Sequence, residues 1–248
     1  MHNAWVYPII MITATAVCGI MLRRSQERLP LSAAQKFGIG LGAFIGAMVG
    51  SKLPFLFSDL EGLISGTAWL SHGKTIMCGI VGGYFGVEIA KWSLDVRVKT
   101  GDTFALPVAV AVAIGRVACF FGGCCYGRPT SLPWGVSFST ATQDPDIPRH
   151  PTQLYEASFH LTMAVILVWL ARRGQMRGQL VKFYIVTYLF YRFATEFIRP
   201  EEKLWLGLTG YQWAAIAMLP LFVALWIRDE RQFHRDVPVA SELERTGG

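Results

Sequence analysis

Between Phe104 and Phe121 the chain is apolar apart from one guanidinium, Arg116. Placing an arginine at a bilayer centre costs about 2.5–3.5 kcal/mol on insertion scales. An arginine kept there faces a protein interior or a wet cavity and finds a partner, so the segment is expected to be a helix packed among other helices. A second set of charges, Arg192, Glu196 and Arg199, is written on another apolar segment. Two cationic sites at membrane depth point to an anionic ligand taken from the membrane, a phospholipid phosphate above all.

The rest of the chain reads the same way. Ala4–Leu22 and Leu206–Ile227 carry no charge, and each is long enough to span about 30 Å of hydrocarbon at about 1.5 Å per residue. Seven spans are predicted, at 4–22, 37–57, 75–93, 104–121, 154–171, 179–198 and 206–227, with Lys52 and Glu88 interrupting the second and third. The expected fold is an all-α integral membrane protein of about seven transmembrane helices over residues 1–227. A disordered, charged tail is expected over 228–248, with no water-soluble domain left over.

Positive charge sets the expected orientation. With the N-terminus outside, the inner loops 23–36, 91–103 and 172–178 and the tail hold most of the 23 Lys and Arg residues, with Lys182 snorkelling just inside a span. That bias favours N-out and C-in. The first span has two arginines after it and none before, the reverse of a cleavable signal peptide. These loops account for the net charge of +6, which suits a cytoplasmic leaflet and argues against nucleic acid as a partner.

Glycines 38, 42, 46 and 50 recur every four residues on the second span; 79, 83 and 82, 86 repeat the interval on the third. In lipid, small residues at that interval let backbones approach closely. Tight packing is the ordinary use of the pattern, and a ligand lying against glycine is the other.

Three stretches concentrate the candidate chemistry. Gly115-Arg116 runs through Cys119, Gly122, Gly123, Cys124 and Cys125 to Tyr126-Gly127-Arg128; its glycines predict a helix break, and a loop with free N–H groups between two arginines suits a phosphate. In Arg149-His150-Pro151-Thr152-Gln153-Leu154-Tyr155-Glu156, Pro151 predicts a helix start. That start sets His150 at or beside the N-cap and Gln153, Tyr155 and Glu156 within the first two turns, at the outer membrane surface. Tyr188, Arg192, Glu196 and Arg199 share one helix face, where Glu196 can pair with either arginine.

At these stretches the chain resembles the bacterial prolipoprotein diacylglyceryl transferases, from about Gly73 to Pro200, with His150-Pro151-Thr152-Gln153-Leu154-Tyr155-Glu156 the most specific match. The resemblance implies an inner-membrane, multi-pass enzyme without a cofactor. Such an enzyme moves a diacylglyceryl group from phosphatidylglycerol to the thiol of a prolipoprotein, or to another acceptor, on the outer leaflet. It implies that Arg116 and Arg192 hold the lipid phosphate, with Glu196 and Arg199 completing the network. Arg128, Gln153, Tyr155, Glu156 and Tyr188 are further candidates for substrate binding. The departures are specific. Met77-Cys78-Gly79 stands where the family has His-Gly-Gly, with His72 five residues earlier. Cys119 and Cys124 stand where it has Asn and Glu.

Displacement at a glyceryl carbon needs a deprotonated acceptor and a stabilised phosphate leaving group. Arginines serve the second need; His150 and Glu196 are the candidate bases for the first. Cys18 and Cys78 are expected to pack. For Cys119, Cys124 and Cys125 the expected state is packing or a disulfide on the oxidising face. A nucleophilic Cys124 activated by Arg116 or Arg128 is the second reading, and a metal site with His150 is third, because Cys-x4-Cys-Cys matches no standard zinc spacing. Two other functions remain open: a lipid-binding or lipid-moving protein that has lost the chemistry, and a thiol-redox or metal-handling membrane protein.

Overall fold

The computed structural model describes residues 5–54, 60–65, 75–141 and 144–246; among these the regular structure is helical, with isolated bridges and no strand. The α-helices are α1 (Val6–Gln26), α2 (Ala33–Lys52), the short α3 (Leu60–Ser65), α4 (Ile76–Ser93), α5 (Gly101–Phe121), α6 (Thr152–Arg172), α7 (Leu180–Thr195) and α8 (Gly210–Thr246). Apart from α3 they coincide with the seven predicted apolar segments. Five of them, counting α8 to Arg231, are long and apolar enough to cross a membrane. Ile12, Phe44, Ile89 and Val165 lie exposed on helix surfaces, a coat that water would penalise and lipid does not. The molecule is a membrane protein.

Helix α2 opens with a capping box, in which Ser32 and Gln35 each accept from the other's backbone N–H. It then packs along α4 through the glycine interval. A Cβ at Gly42 would fall 2.6 Å from the carbonyl oxygen of Gly86, and one at Gly50 would fall 2.8 Å from the Cα of Gly82. Packing of backbone on backbone is therefore what the glycines provide. Helix α5 is flanked by α1 and α6. Residues of α4, α5, α6, α7 and α8 form a core that includes Ala109, Leu167, Tyr184, Ile185, Leu189 and Phe222.

One expectation is corrected. Lys182 does not snorkel: it is buried, 2.7 Å from Asp229 and 2.9 Å from the Gln179 side-chain oxygen, because a carboxylate from α8 reaches it. Helix α8 continues to Thr246. His72 and Gly73 lie outside the described residues.

Candidate active site

Arg116 stands near the end of α5, Arg192 near the end of α7, and Arg199 just past the one-turn 3-10 helix Glu196–Ile198. Helix packing brings all three to one cavity of about 490 Å³, lined also by Met77, Cys124, Cys125, Tyr126, Thr140, Tyr188 and Tyr211. Each arginine is at least nine-tenths buried, so each needs carboxylates or a ligand. Arg116 Nη2 lies 2.6 Å from Glu156 Oε2, and the Tyr188 hydroxyl donates to the other oxygen of Glu156. Arg192 pairs with Glu196 at 2.8 Å and lies over the Tyr211 ring. Glu196 also accepts from the Thr209 hydroxyl, while Arg199 reaches Glu201 at 3.4 Å. The Nε atoms of Arg116 and Arg199 are buried with no hydrogen-bond partner, an unusual and costly state for a donor.

A backbone break shapes the cavity mouth. Helix α5 ends at Phe121, and Gly123 and Cys125 both take left-handed backbone conformations, each with a φ of 62°. The first is free for glycine; the second is strained for cysteine. Side chains hold the turn in place. Thr140 donates to the carbonyl of Gly123, Gln153 to that of Cys124 at 2.6 Å and Thr152 to that of Cys125 at 2.7 Å. Gly127 is wedged between neighbouring segments: its N–H donates to His150 O, and a Cβ there would meet Ile198 O at 2.7 Å.

This geometry revises the expected phosphate cradle. The N–H groups of Gly122, Gly123, Cys124, Gly127 and Arg128 already donate to Ala118, Phe120, Cys119, His150 and Ile198. The arginine side chains line the cavity, and these five loop N–H groups are already used. The same closure moves several candidate residues away from it. His150 and Tyr155 turn to each other, Nδ1 to hydroxyl at 3.3 Å, with Trp134 donating to Tyr155. Gln153 and Glu156 are buried rather than at the membrane surface, and Arg128 donates to the Arg199 carbonyl. Pro151 is the N-cap of α6, with His150 beside it. Glu196 lies behind Arg192, so neither expected base lines the cavity.

His160, Tyr184 and Tyr211 were not among the residues expected from sequence. His160 is fully buried, 3.9 Å from Glu156 and 2.8 Å from the Tyr184 hydroxyl. Its spacing of four residues from Glu156 on one helix was the available signal. Met77 does line the cavity, at the place where the resemblance implied a histidine.

All five cysteines are free thiols, so the expected disulfide is absent, and Cys124 and Cys125 are exposed rather than packed. The sulfurs of Cys119, Cys124 and Cys125 lie within 4.8 Å of one another. Hydrogen bonding with its two partner thiols, and then the charges of Arg116 and Arg199, pull Cys125 well below the usual thiol range. The same hydrogen bonding pushes Cys124 up.

A second cavity, of about 600 Å³ and mostly apolar, lies between α1, α2, α4 and α5 and shares Thr75 and Ile76 with the first. Gly79 and Gly83, on α4, form part of its wall. The glycine pattern thus serves packing on one face and an open groove on another.

The family model described as prolipoprotein diacylglyceryl transferase matches residues 3–228. Among similar curated proteins is a Clostridium tetani phosphatidylglycerol–prolipoprotein diacylglyceryl transferase, 32% identical over 190 residues, covering 74% of this chain and 76% of that protein. A Methylococcus capsulatus protein of the same name is 32% identical over 224 residues, covering 86% and 84%. A Clostridium perfringens protein with that name and the suffix 2 is 24% identical over 209 residues, covering 80% of each.

Proposed function

The chain belongs to the prolipoprotein diacylglyceryl transferase family, and from that premise we propose that it transfers a diacylglyceryl group from phosphatidylglycerol to the cysteine thiol of a prolipoprotein. The observation that carries this reading is a pair of neighbouring cavities that share Thr75 and Ile76 in their walls. Arg116, Arg192 and Arg199 serve one, and the other is an apolar groove between helices. A phospholipid has the same two-part chemistry: an anionic phosphate beside a glyceryl carbon, and acyl chains that need a greasy wall.

In this reading the phosphate sits among the arginines, and the unpartnered Nε–H groups of Arg116 and Arg199 donate to it. Planar guanidiniums can grip two oxygens at once. As the glyceryl carbon–oxygen bond breaks, the electron pair goes to the glycerol phosphate, and fixed positive charge stabilises it without reorganisation. Glu156 and Tyr188 hold Arg116, and Glu196 holds Arg192, so both arginines are oriented before the lipid enters. The acceptor attacks as a thiolate from the cavity mouth.

In this reading the site lies at the outer leaflet of a bacterial inner membrane, in a seven-span, N-out, C-in arrangement. Reporter fusions test that topology: one after Glu201 should read as periplasmic and one after Arg235 as cytoplasmic, and the reverse pattern contradicts it. Activity is tested by rescue of a bacterial strain depleted of its own diacylglyceryl transferase. Growth with wild type and none with Arg192→Ala is the expected result. A second reading, lipid binding without transfer, is favoured by one observation: neither His150 nor Glu196 lines the cavity, which leaves the acceptor thiol without an evident base.

A further inference from the structure

The missing base and the unassigned thiols occupy the same place. An acceptor thiol with an ordinary pKa of about 8.5 is mostly protonated at neutral pH. Arginines cannot take its proton, and Met77 offers none of the basicity of a histidine. Beside them stand three sulfurs within 4.8 Å of one another, with no nitrogen or carboxylate donor in the cluster.

Their spacing suits a metal ion. A tetrahedral zinc with bonds of about 2.3 Å holds its sulfurs about 3.8 Å apart, so the thiols need to close by about 1 Å at most. The turn that brings them together is built rather than loose. Cys125 accepts a strained left-handed backbone. Three buried side chains, Gln153, Thr152 and Arg199, hold the carbonyls of Cys124 and Cys125. Strain fixed by its surroundings is a mark of functional geometry. Cys124 and Cys125 also line the arginine cavity, so the uncovered side of the cluster faces the lipid phosphate.

We propose that Cys119, Cys124 and Cys125 bind a zinc ion whose open fourth position takes the acceptor thiol; this rests on the transferase reading. Three protein ligands and one exchangeable position is the arrangement of zinc used for catalysis. A thiol that coordinates such an ion loses its proton outright. The chemistry then balances without another base. The acceptor thiol binds zinc and releases its proton to water, and its sulfur attacks the glyceryl carbon. The carbon–sulfur bond forms as the carbon–oxygen bond breaks, and glycerol phosphate leaves with the electron pair. The neutral thioether is a poor zinc ligand and departs. Three thiolates and one zinc carry a net single negative charge, which sits well beside Arg116 and Arg199.

The test uses full-length protein in detergent, reduced, stripped with a chelator and titrated with zinc sulfate against a chromogenic chelator. One equivalent should bind to wild type and to Cys18→Ser and Cys78→Ser. Cys119→Ser, Cys124→Ser and Cys125→Ser should each weaken binding at least tenfold while eluting as wild type does. Cobalt(II) reports the fourth position: a short peptide carrying one acceptor cysteine should raise thiolate-to-cobalt charge-transfer absorption, and its serine version should not. Zinc uptake unchanged in Cys125→Ser, or uptake of copper(I) but not zinc, overturns the proposal. So does full-rate transfer by zinc-free protein, which leaves the transferase reading intact. Zinc and peptide binding without any transfer supports the metal site and overturns the transferase reading instead.

Discussion

Lys182 and Arg192 sit on the same helix, ten residues apart, and both are buried, yet their surroundings differ. At Lys182 the charge is closed off. Its ammonium donates to Asp229, Gln179 and the Gly178 carbonyl, and Asp102 accepts from the N–H groups of Gly178 and Leu180. The cavity there is about 180 Å³. At Arg192 the charges are paired but incompletely satisfied. The Nε atoms of Arg116 and Arg199 lack hydrogen-bond partners, and about 490 Å³ of space lies between the helices. A buried donor without a partner costs about 1–3 kcal/mol. Charge at membrane depth is thus not by itself a sign of a site; charge left waiting for an anion beside an open volume is.

That contrast can be broken by substitution. Arg116→Lys or Arg192→Lys keeps the charge but removes the planar fork, and transfer should fall about 1000-fold. Replacing the closed pair together, as Lys182→Met with Asp229→Leu, should leave the rate within about twofold, since apolar groups can substitute for a buried ion pair. Transfer rates in phosphatidylglycerol vesicles measure both. Loss of activity in the double variant would erase the distinction between the two ends.

Stability should show the opposite ranking. Lys182→Met alone leaves Asp229 with only Arg228 as a charged partner and should cost about 1–3 kcal/mol, against less for the double replacement. Denaturation in detergent micelles decides this, and equal costs for the single and double variants would mean the pair is not coupled.

The smallest effect concerns the thiols at the open end. Because Cys125 is held below the usual thiol range, it stays ionised as pH falls through that range. In zinc-free protein its alkylation should therefore persist from about pH 8 down to about pH 6, while that of an ordinary thiol falls about tenfold per unit. Mass spectrometry of iodoacetamide adducts reads the site directly. A steep loss of Cys125 labelling on acidification, or faster labelling of Cys124, contradicts the assignment.

Much of this arrangement was legible in the chain. Apolar runs of spanning length located the seven long helices, and the four-residue glycine interval anticipated the contact of α2 with α4. Arg116, Arg192 and Arg199 were conspicuous because hydrocarbon makes any charge expensive. What stayed hidden depended on contacts between distant segments. Glu156 reads as an interfacial residue until α6 is packed on α5, where it becomes the partner of Arg116. The loop N–H groups look available until His150 and Ile198 are brought alongside to accept two of them. Lys182 looks free to snorkel until Asp229 arrives from α8. His160 was within reach of sequence reasoning, since an ionisable residue one helical turn from Glu156 on an apolar segment is itself a warning.

The central claim is that the arginine cavity holds the phosphate of phosphatidylglycerol while a thiol displaces it. Purified protein is mixed with phosphatidylglycerol isotopically labelled in its diacylglyceryl part and a peptide carrying one acceptor cysteine, and the peptide mass is followed. The account predicts a peptide heavier by one labelled diacylglyceryl group, with glycerol phosphate released in equal amount by wild type and almost none by Arg116→Lys. Binding of phosphatidylglycerol with no modified peptide, or equal product from Arg116→Lys, would contradict it.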